Sequence, residues 1–469
     1  MTFGICNTDI NSLVEITSRR IIRPSSPTPH LNRILNLSLY DQFFPSTLYP
    51  TILWFYENHN DSGFASETSE TRKSQRLQES LSKALVHFYP LAGRLKSSAL
   101  VECNDEGAHF LEAQVNCQLS DFLKQPNPEL ISHFIADNVP ETAQLGLGYV
   151  LLFVQISFFN CGGIVVAISP SHKIADAASL LTFARTWAAI NRNDGILGVK
   201  LVQPEFTGGS LLPPSRDLPL VSINAASKIQ SQNLVTRRFV FDVSKIAGLR
   251  ARIGSAVQPF IPSHVNLVLA IILKCSVAAS RQCQPESSTR ATELSPMMSF
   301  RKRMVPEISE NFIWNWFWPL QVVFRANETE LHELVSNMRQ AATDFWKIFR
   351  CEEGFLVVSE FMRKQAYPFK RNEGVNFYRT TSLCKLPVYE MDFGWGKPAW
   401  VTNHIVQKNI IRLLDTKQQD GIEAWVTLDD QEMAIFESDQ ELLEFASVNP
   451  SITCHSGPVL SFLRPRTRI

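Results

Sequence analysis

The chain has 469 residues with 45 basic and 45 acidic side chains, so its formal net charge is zero. Because no cluster of lysine and arginine alternates with aromatic residues, we expect neither nucleic acid nor an anionic membrane as a partner. Nine scattered cysteines lack a Cys-x-x-Cys pair, and neither a secretory pattern nor a long apolar span is visible, so we expect a soluble cytoplasmic protein.

The first half of the chain alternates amphipathic helices with apolar strands. Apolar residues at three- and four-residue spacing predict a helix over 72–88, and Pro90 marks its end. Runs rich in Val, Ile and Phe predict two buried strands, over 149–160 and 164–169, joined by a tight Gly-Gly turn. A further helix opens at Ala177.

The second half repeats this alternation after a break. Periodicity fades over 201–230, where glycine and proline cluster, and we interpret this stretch as a linker. The elements predicted beyond it are a strand over 238–242, a helix near 243–254, a helix over 264–279 with Ser263 as N-cap, paired strands over 410–414 and 422–428, and a helix over 430–445. We therefore predict an α/β protein with domains at 1–200 and 231–446, followed by a flexible tail at 447–469.

His172 lies at the corner between the second buried strand and the helix after it, with Asp176 four residues on. A corner of this kind presents a side chain to a ligand from a rigid scaffold. The spacing alone is weak, because His133 and Asp137 repeat it in a proline-broken stretch and a buried core histidine would fit it equally well. The strand before His172 and the long helix after it favour this copy as the functional one.

A second motif, 392–398 (DFGWGKP), strengthens this interpretation. Together the two motifs resemble the plant BAHD family of acyl-CoA-dependent acyltransferases. The segments 23–29, 82–94 and 238–242 extend the likeness along the chain. The resemblance implies two similarly folded domains with a solvent channel at their interface. It also implies a monomer that binds no metal and no permanent cofactor, with acyl-CoA as co-substrate and a small-molecule alcohol as acceptor.

The activity that the resemblance implies is acyl transfer to a hydroxyl group of a plant specialised metabolite, such as an alkaloid, an acylsugar or a naphthoquinone. The neutral imidazole of His172 would take the proton of the attacking hydroxyl and return it to the leaving CoA sulfur. We expect acetyl-CoA as donor, followed by short branched acyl-CoAs. An amine acceptor and a catalytically silent, ligand-binding relative stay open, whereas the absence of Gly-x-Ser-x-Gly disfavours a serine hydrolase.

Two roles are open for Asp176. As the partner in a dyad it would orient the imidazole of His172 and stabilise its charged form. As a structural group it would turn away and pair with a cation. The resemblance favours the second role, with Arg301 as the partner.

The second motif supplies a further catalytic candidate, Asp392. Its glycines, Gly394 and Gly396, surround Trp395 in a pattern that suits a tight turn. The resemblance places this loop away from the reacting atoms, where it supports the site and the domain interface. A contribution from Trp395 to an oxyanion site is the alternative.

Coenzyme A must be held by discrete side chains and helix N-termini, because the sequence has no glycine-rich phosphate loop. Ser263, Arg301 and Arg303 are the candidates. Thr381 and Ser382 could donate hydrogen bonds to an acceptor or an oxyanion, although hydroxyls on a surface strand are an ordinary alternative.

One segment departs from the family pattern. Where the family usually carries Gly-Asn, this chain has Glu310 and Asn311, followed by the aromatic run 312–318 (FIWNWFW). The run is either a buried strand with bulky packing or a wall of an apolar acceptor pocket. The change puts the local loop geometry in doubt, and with it any inherited acceptor.

Overall fold

A computed structural model describes most of the chain in two lobes. The described residues are 13–58, 70–136, 148–192, 201–215, 233–257, 260–303, 308–349, 357, 360 and 374–452. We call residues 13–215 the first lobe and residues 233–452 the second lobe. Each lobe has its own apolar core, and each combines a β-sheet with packed helices.

The first lobe is organised around a six-stranded mixed sheet. Its strands are, in spatial order, β1 (Val14–Ile22), β6 (Ala108–Val115), β8 (Leu152–Phe159), β9 (Ile164–Pro170), β3 (Thr51–Tyr56) and β15 (Trp400–His404). A four-stranded sheet contains β2 (Ile34–Asn36), β5 (Leu100–Glu102), β4 (Arg94–Ser97) and β7 (Tyr149–Val150). The helices are α1 (Glu70–His87), α2 (Leu119–Lys124), α3 (Pro128–His133), α4 (Ala177–Arg192) and α5 (Gly208–Leu211).

The predicted pair of buried strands is confirmed as β8 and β9. Every residue of both strands is buried, which explains why their sequences are mostly apolar on both faces rather than alternating. They pair in antiparallel fashion, with Phe158 opposite Ile164 across the turn. Helix α4 begins seven residues after β9 ends and packs against the predicted amphipathic helix α1. The corner that carries His172 is thus fixed between two well-packed elements.

The second lobe contains an eight-stranded sheet. Seven strands follow the order β12 (Phe317–Pro319), β11 (Thr292–Ser299), β14 (Asn376–Ser382), β16 (Ile410–Asp415), β17 (Ile422–Asp429), β10 (Leu234–Phe241) and β18 (Ser447–Val448), and β13 (Val322–Phe324) also pairs with β11. The helices are α6 (Val243–Ile253), α7 (His264–Cys283), α8 (Leu331–Phe349), α9 (Asp430–Phe436) and α10 (Gln440–Phe445). The lobes together form the predicted α/β architecture.

Helix α7 is long and apolar enough to cross a membrane by length and composition alone. In the structure, 67% of its apolar window is buried within the protein, and it packs in the core of the second lobe. Ser263 caps its first turn, where the side-chain hydroxyl accepts a hydrogen bond from the Asn266 amide at 3.1 Å. The hydropathy of α7 is therefore that of a buried core helix.

Two predictions near the C-terminus are wrong in their boundaries. The single helix expected over 430–445 is two helices, because the Asp439 carboxylate accepts a hydrogen bond from the Leu442 amide and starts a new helix there. The tail expected to be flexible from residue 447 begins with β18, which pairs with β10. Beyond it the Ile452 amide donates to the Leu123 carbonyl of the first lobe at 2.9 Å. Residues 453–469 lie outside the described part.

The two lobes exchange segments, so a division at 201–230 does not separate them completely. Strand β15 follows the second motif in sequence, yet it pairs with β3 at the edge of the first sheet. In the opposite direction, Tyr40 and Phe44 come from the first lobe and pack in the core of the second. Part of the predicted linker is also packed, because Glu205 and Ile313 share a backbone hydrogen bond of 3.0 Å. Residues 216–232 lie outside the described part.

Candidate active site

His172 lies just beyond the end of β9, where both lobes contact it. Its backbone amide donates to the Leu48 carbonyl at 2.8 Å, which fixes the corner to the chain entering β3. The imidazole stacks on Phe44, with ring centres 4.4 Å apart and planes 14° apart. Phe317 of β12 lies next to both rings, with its ring centre 5.8 Å from that of the imidazole and 5.6 Å from that of Phe44. His172 keeps partial exposure between these rings, so its position is defined while one edge stays accessible.

A hydrogen-bonded chain of three side chains fixes the tautomer of His172. The imidazole Nδ1 is 2.9 Å from Oδ1 of Asn315. The Asn315 Nδ2 donates to the Asp41 carboxylate at 2.8 Å and to the His172 carbonyl at 2.6 Å. Because both partners of Nδ2 are acceptors, the amide orientation is determined and Oδ1 must accept from the ring. Nδ1 therefore carries the proton, and Nε2 presents a lone pair.

The charge states around the imidazole suit a general base. Burial lowers the pKa of His172 below its ordinary value of 6.5, although the Asp176 charge and the hydrogen bond with Asn315 oppose this shift. Lys173, the next residue, is fully buried, and its ammonium donates to the Gln42 carbonyl at 2.9 Å. Burial lowers the pKa of this lysine to about 8. At neutral pH the imidazole is therefore neutral and able to accept a proton.

The pH dependence of turnover tests this charge state. Because the pKa of His172 is lowered from 6.5, we expect kcat/KM to be constant above that pH and to fall only under more acidic conditions. The acid limb of a kcat/KM profile, recorded with saturating co-substrate, should have its midpoint below pH 6.5. A midpoint above that value would mean that the nearby carboxylates outweigh burial.

Asp176 belongs to an ion pair that joins the lobes. Nη2 of Arg301 lies 3.0 and 3.1 Å from the two carboxylate oxygens, and Nε lies 3.3 Å from one of them. The carboxylate also accepts hydrogen bonds from the amides of Ser179 and Trp316. Of its hydrogen bonds within the described residues, none goes to His172. Its contacts are those of the structural role, and its charge reaches the imidazole only through space.

The second motif lies at the opposite end of helix α4. Asn191 and Arg192, at the C-terminus of that helix, donate to the Phe393 and Asp392 carbonyls. His172 instead precedes the N-terminus, and sixteen helical residues span about 24 Å. The structure thus does not bring Asp392 to the imidazole.

Asp392 shapes its own turn instead. Its Oδ1 accepts hydrogen bonds from the amides of Gly394 and Gly396 at 2.7 and 3.0 Å. Both glycines have positive φ angles, of 108° and 97°, which other residues rarely adopt. Trp395 packs against Phe393 at this end of the lobe. We therefore assign Asp392 to turn formation rather than catalysis, and the distance excludes Trp395 from an oxyanion site at His172.

The candidates for CoA binding have different surroundings. Every guanidinium nitrogen of Arg301 donates to a protein acceptor and its side chain is only 6% exposed, so its surroundings are those of a structural ion pair. Arg303 is exposed, and its guanidinium lies 4.9 Å from the Trp346 ring. Ser263 caps α7, as described above. Arg303 and Ser263 stay predictions for phosphate contacts.

The candidates for the acceptor pocket lie on β14. Thr381 stands opposite Arg412 of β16 and is partly exposed. Ser382 is exposed, and its hydroxyl accepts a hydrogen bond from the Cys384 amide at 3.2 Å. Within the described part of the chain, neither hydroxyl forms a hydrogen bond with His172. Their role in binding an acceptor stays a prediction.

The aromatic run 312–318 packs the second core and also reaches His172, and its role as a wall of an acceptor pocket stays a prediction. Trp314 and Trp316 are buried in the second core, and only Phe317–Pro319 forms a strand. Asn315 and Phe317 contact the imidazole. The run therefore packs the core and also presents two side chains to the site.

Sequence reasoning missed Asp41 and Asn315. A Ser-x-x-Asp pattern was available as a signal, because Ser38 and Asp41 exchange side-chain hydrogen bonds like those of a capping box. Asn315 is the one amide inside the aromatic run, and a buried amide requires partners. Neither signal points to His172 without the three-dimensional packing.

Replacing Asn315 with alanine tests its positioning role. The imidazole would lose its tautomer constraint, and we expect kcat to fall about 10- to 100-fold with a smaller change in KM. Because the hydrogen bond with Asn315 raises the pKa of His172, the acid limb of the pH profile should also move to lower pH. A purely structural effect would leave that midpoint in place.

Comparison with known proteins identifies the family of the chain. A family model described as "Transferase family" matches residues 12–443. The chain belongs to the BAHD acyltransferase family. It is 35% identical to 17,18-epoxy-17-hydroxycur-19-ene N-malonyltransferase of Strychnos nux-vomica, over 93% of this chain and 91% of the relative. It is 33% identical to stemmadenine O-acetyltransferase of Catharanthus roseus, over 91% and 96%.

A solved structure agrees with the fold of this BAHD protein. The crystal structure of vinorine synthase matches it with a TM-score of 0.78 and 30% identity, covering 94% of this chain and 99% of that chain. The two-domain α/β fold inferred from the sequence is confirmed. The named relatives transfer acyl groups to oxygen in one case and to nitrogen in another.

Proposed function

We propose that this BAHD enzyme transfers a short acyl group from an acyl-CoA thioester to a hydroxyl group of a small plant metabolite, with His172 as general base. The observation that carries the proposal is the Asp41–Asn315–His172 chain, which leaves Nε2 unprotonated at the contact between the lobes. Family membership supports the reaction class. In this mechanism the acceptor oxygen is the nucleophile, and no side chain forms a covalent intermediate.

The reaction proceeds in two proton transfers. Nε2 of His172 takes the hydroxyl proton as the acceptor oxygen attacks the thioester carbonyl carbon. The tetrahedral adduct then breaks its carbon–sulfur bond, and the imidazolium returns the proton to the leaving thiolate. Products are an ester and free CoA. Simultaneous binding of both substrates supplies much of the rate enhancement, because the reacting groups are held close together in the right orientation and need not meet by diffusion.

The position of His172 supports entry of the two substrates from opposite sides. Phe44 and Leu48 of the first lobe contact it, and so do Asn315 and Phe317 of the second lobe, so the residue lies where the two lobes meet. A channel between the lobes would therefore pass the ring.

We also propose that the enzyme acts as a cytosolic monomer on free small molecules, as the balanced charge and scattered cysteines suggest.

An amine acceptor is the second candidate. It is favoured by the N-malonyltransferase relative at 35% identity. The same imidazole would take a proton from the attacking nitrogen, and the product would be an amide. Mild alkali separates the two cases, because it hydrolyses an ester product and spares an amide.

The deciding experiment uses purified full-length protein with a panel of acyl-CoAs and plant alcohols and amines. Release of free thiol is followed in parallel with product mass, and a His172→Ala protein serves as the background control. We expect acylated product with at least one pairing, formed only when His172 is present. Thiol release that matches the control with every pairing would favour the silent, ligand-binding relative.

A further inference from the structure

One face of the second sheet looks towards the first lobe. Leu414 of β16 and Trp425 of β17 pack in the core of the first lobe, whereas Ile411 and Leu413 pack in the core of the second. Side chains alternate between the faces of a strand. Arg412 therefore projects into the contact between the lobes, where it is only 2% exposed.

The guanidinium of Arg412 leaves donors unused. Both of its hydrogen bonds come from Nη1, which donates to the Asn403 carbonyl and to the Asn403 side-chain oxygen. The group also lies 5.2 Å from the Trp425 ring. Nε is buried and has no hydrogen-bond partner among the described residues. A buried donor without an acceptor costs stability, so a missing partner is expected here.

No described carboxylate compensates the charge of Arg412 fully. Glu423 lies nearby, but it is paired with Arg238 at 2.7 Å and accepts hydrogen bonds from the Trp425 and Trp400 indoles. Two buried arginines thus share one carboxylate. Burial lowers the pKa of His404 to about 4, so this neighbour is neutral, and it lowers the pKa of Arg412 to about 9, which still leaves the arginine charged at neutral pH.

Arg412 also lies on the side of the lobe contact that leads to His172. It stands opposite the partly exposed Thr381, and it contacts Asn403, which stands opposite Ile52 of β3. Leu48 precedes Ile52 by four residues, and its carbonyl accepts a hydrogen bond from the His172 amide. The same edge of the lobe contact therefore carries Arg412 and the segment that holds the His172 backbone.

We propose that Arg412 binds the free carboxylate of a short dicarboxylic acyl donor, with malonyl-CoA as the simplest example. The proposal rests on the acyl-CoA-dependent function above and replaces acetyl-CoA as the expected donor. A guanidinium and a carboxylate form paired, charge-assisted hydrogen bonds, and the donor carboxylate would supply both the missing charge and the acceptor for Nε. An acetyl group would leave this arginine uncompensated.

The test measures equilibrium binding of malonyl-CoA and acetyl-CoA to the His172→Ala protein, in which turnover is removed. We expect malonyl-CoA to bind about 10- to 100-fold more tightly, because a charge-assisted pair is lost with acetyl-CoA. Adding Arg412→Gln should abolish the preference, and Arg412→Lys should keep part of it. Arg252→Gln, which removes a charge from a half-exposed site on α6, should leave the preference unchanged.

The outcomes separate this proposal from the proposed function. Equal affinity for the two thioesters in the protein that retains Arg412 would overturn the donor assignment, even if the Arg412 variants fail to fold. A preference that survives Arg412→Gln in a folded protein would overturn the role of this residue. Failure to bind either thioester would overturn the acyl-CoA-dependent function itself.

Discussion

Replacement of His172 by alanine is expected to lower kcat by about 10²- to 10⁴-fold, the usual contribution of a general base. The variant should remain folded, because the backbone hydrogen bond from residue 172 to Leu48 does not need the imidazole. Asn315 would lose one partner but keep the hydrogen bonds to Asp41 and to the backbone carbonyl of residue 172. Thiol release in single-turnover and steady-state assays provides the measurement.

His133 offers a matched control for this experiment. It belongs to the other His-x-x-x-Asp pattern and is the last residue of α3, in the first lobe. A His133→Ala protein should retain the activity of the wild type. If the His172 variant also retained it, the imidazole would have no part in proton transfer.

Replacement of Asp176 by alanine is expected to destabilise the protein by about 3–5 kcal/mol, because it leaves the buried Arg301 guanidinium without its counter-charge. The side chains of both partners are almost fully buried, at 8% and 6% exposure. Two amide donors, from Ser179 and Trp316, would lose their acceptor as well. Denaturant unfolding measures the loss, and the yield of soluble protein should fall with it.

A double variant separates the two roles of Asp176. Asp176→Leu combined with Arg301→Met removes both charges, and it should recover part of the stability lost in the single variants. If instead the Asp176→Ala protein has the same free energy of unfolding as the wild type but has lost turnover, the carboxylate acts on the imidazole. The dyad interpretation would then replace the ion pair.

The sequence predicts the fold where local pattern and burial agree. The sequence of β8 and β9 is mostly apolar because both faces of these strands are covered, and α1 has its buried residues at helical spacing. The split between α9 and α10 was missed because the Asp439 cap interrupts a helix without changing its hydrophobic pattern. Strand β15 could not be placed either, since its partner β3 lies about 350 residues away in sequence.

The site is predicted only in part, because residues that are distant in the sequence come together only in the folded protein. His172 is predicted from its motif and sequence context, and the pairing of Asp176 with Arg301 is predicted from the family resemblance. The tautomer of His172 depends on Asn315 and Asp41, which come from different lobes and meet only in the folded protein. Asp392 was a catalytic candidate because a motif gives no distance, and the length of α4 provides that distance.

The exchange of β15 has a mechanical consequence for how ligands reach the imidazole. A strand of the late chain is held in the early sheet, and the Ile452 amide donates to the Leu123 carbonyl. These contacts connect the lobes in addition to the ion pair between Asp176 and Arg301. A wide separation of the lobes would strain the chain on both sides of β15 and break the hydrogen bond between Ile452 and Leu123. We therefore expect substrates to enter through the ends of the cleft by movements of side chains. The two lobes should stay in contact throughout the catalytic cycle.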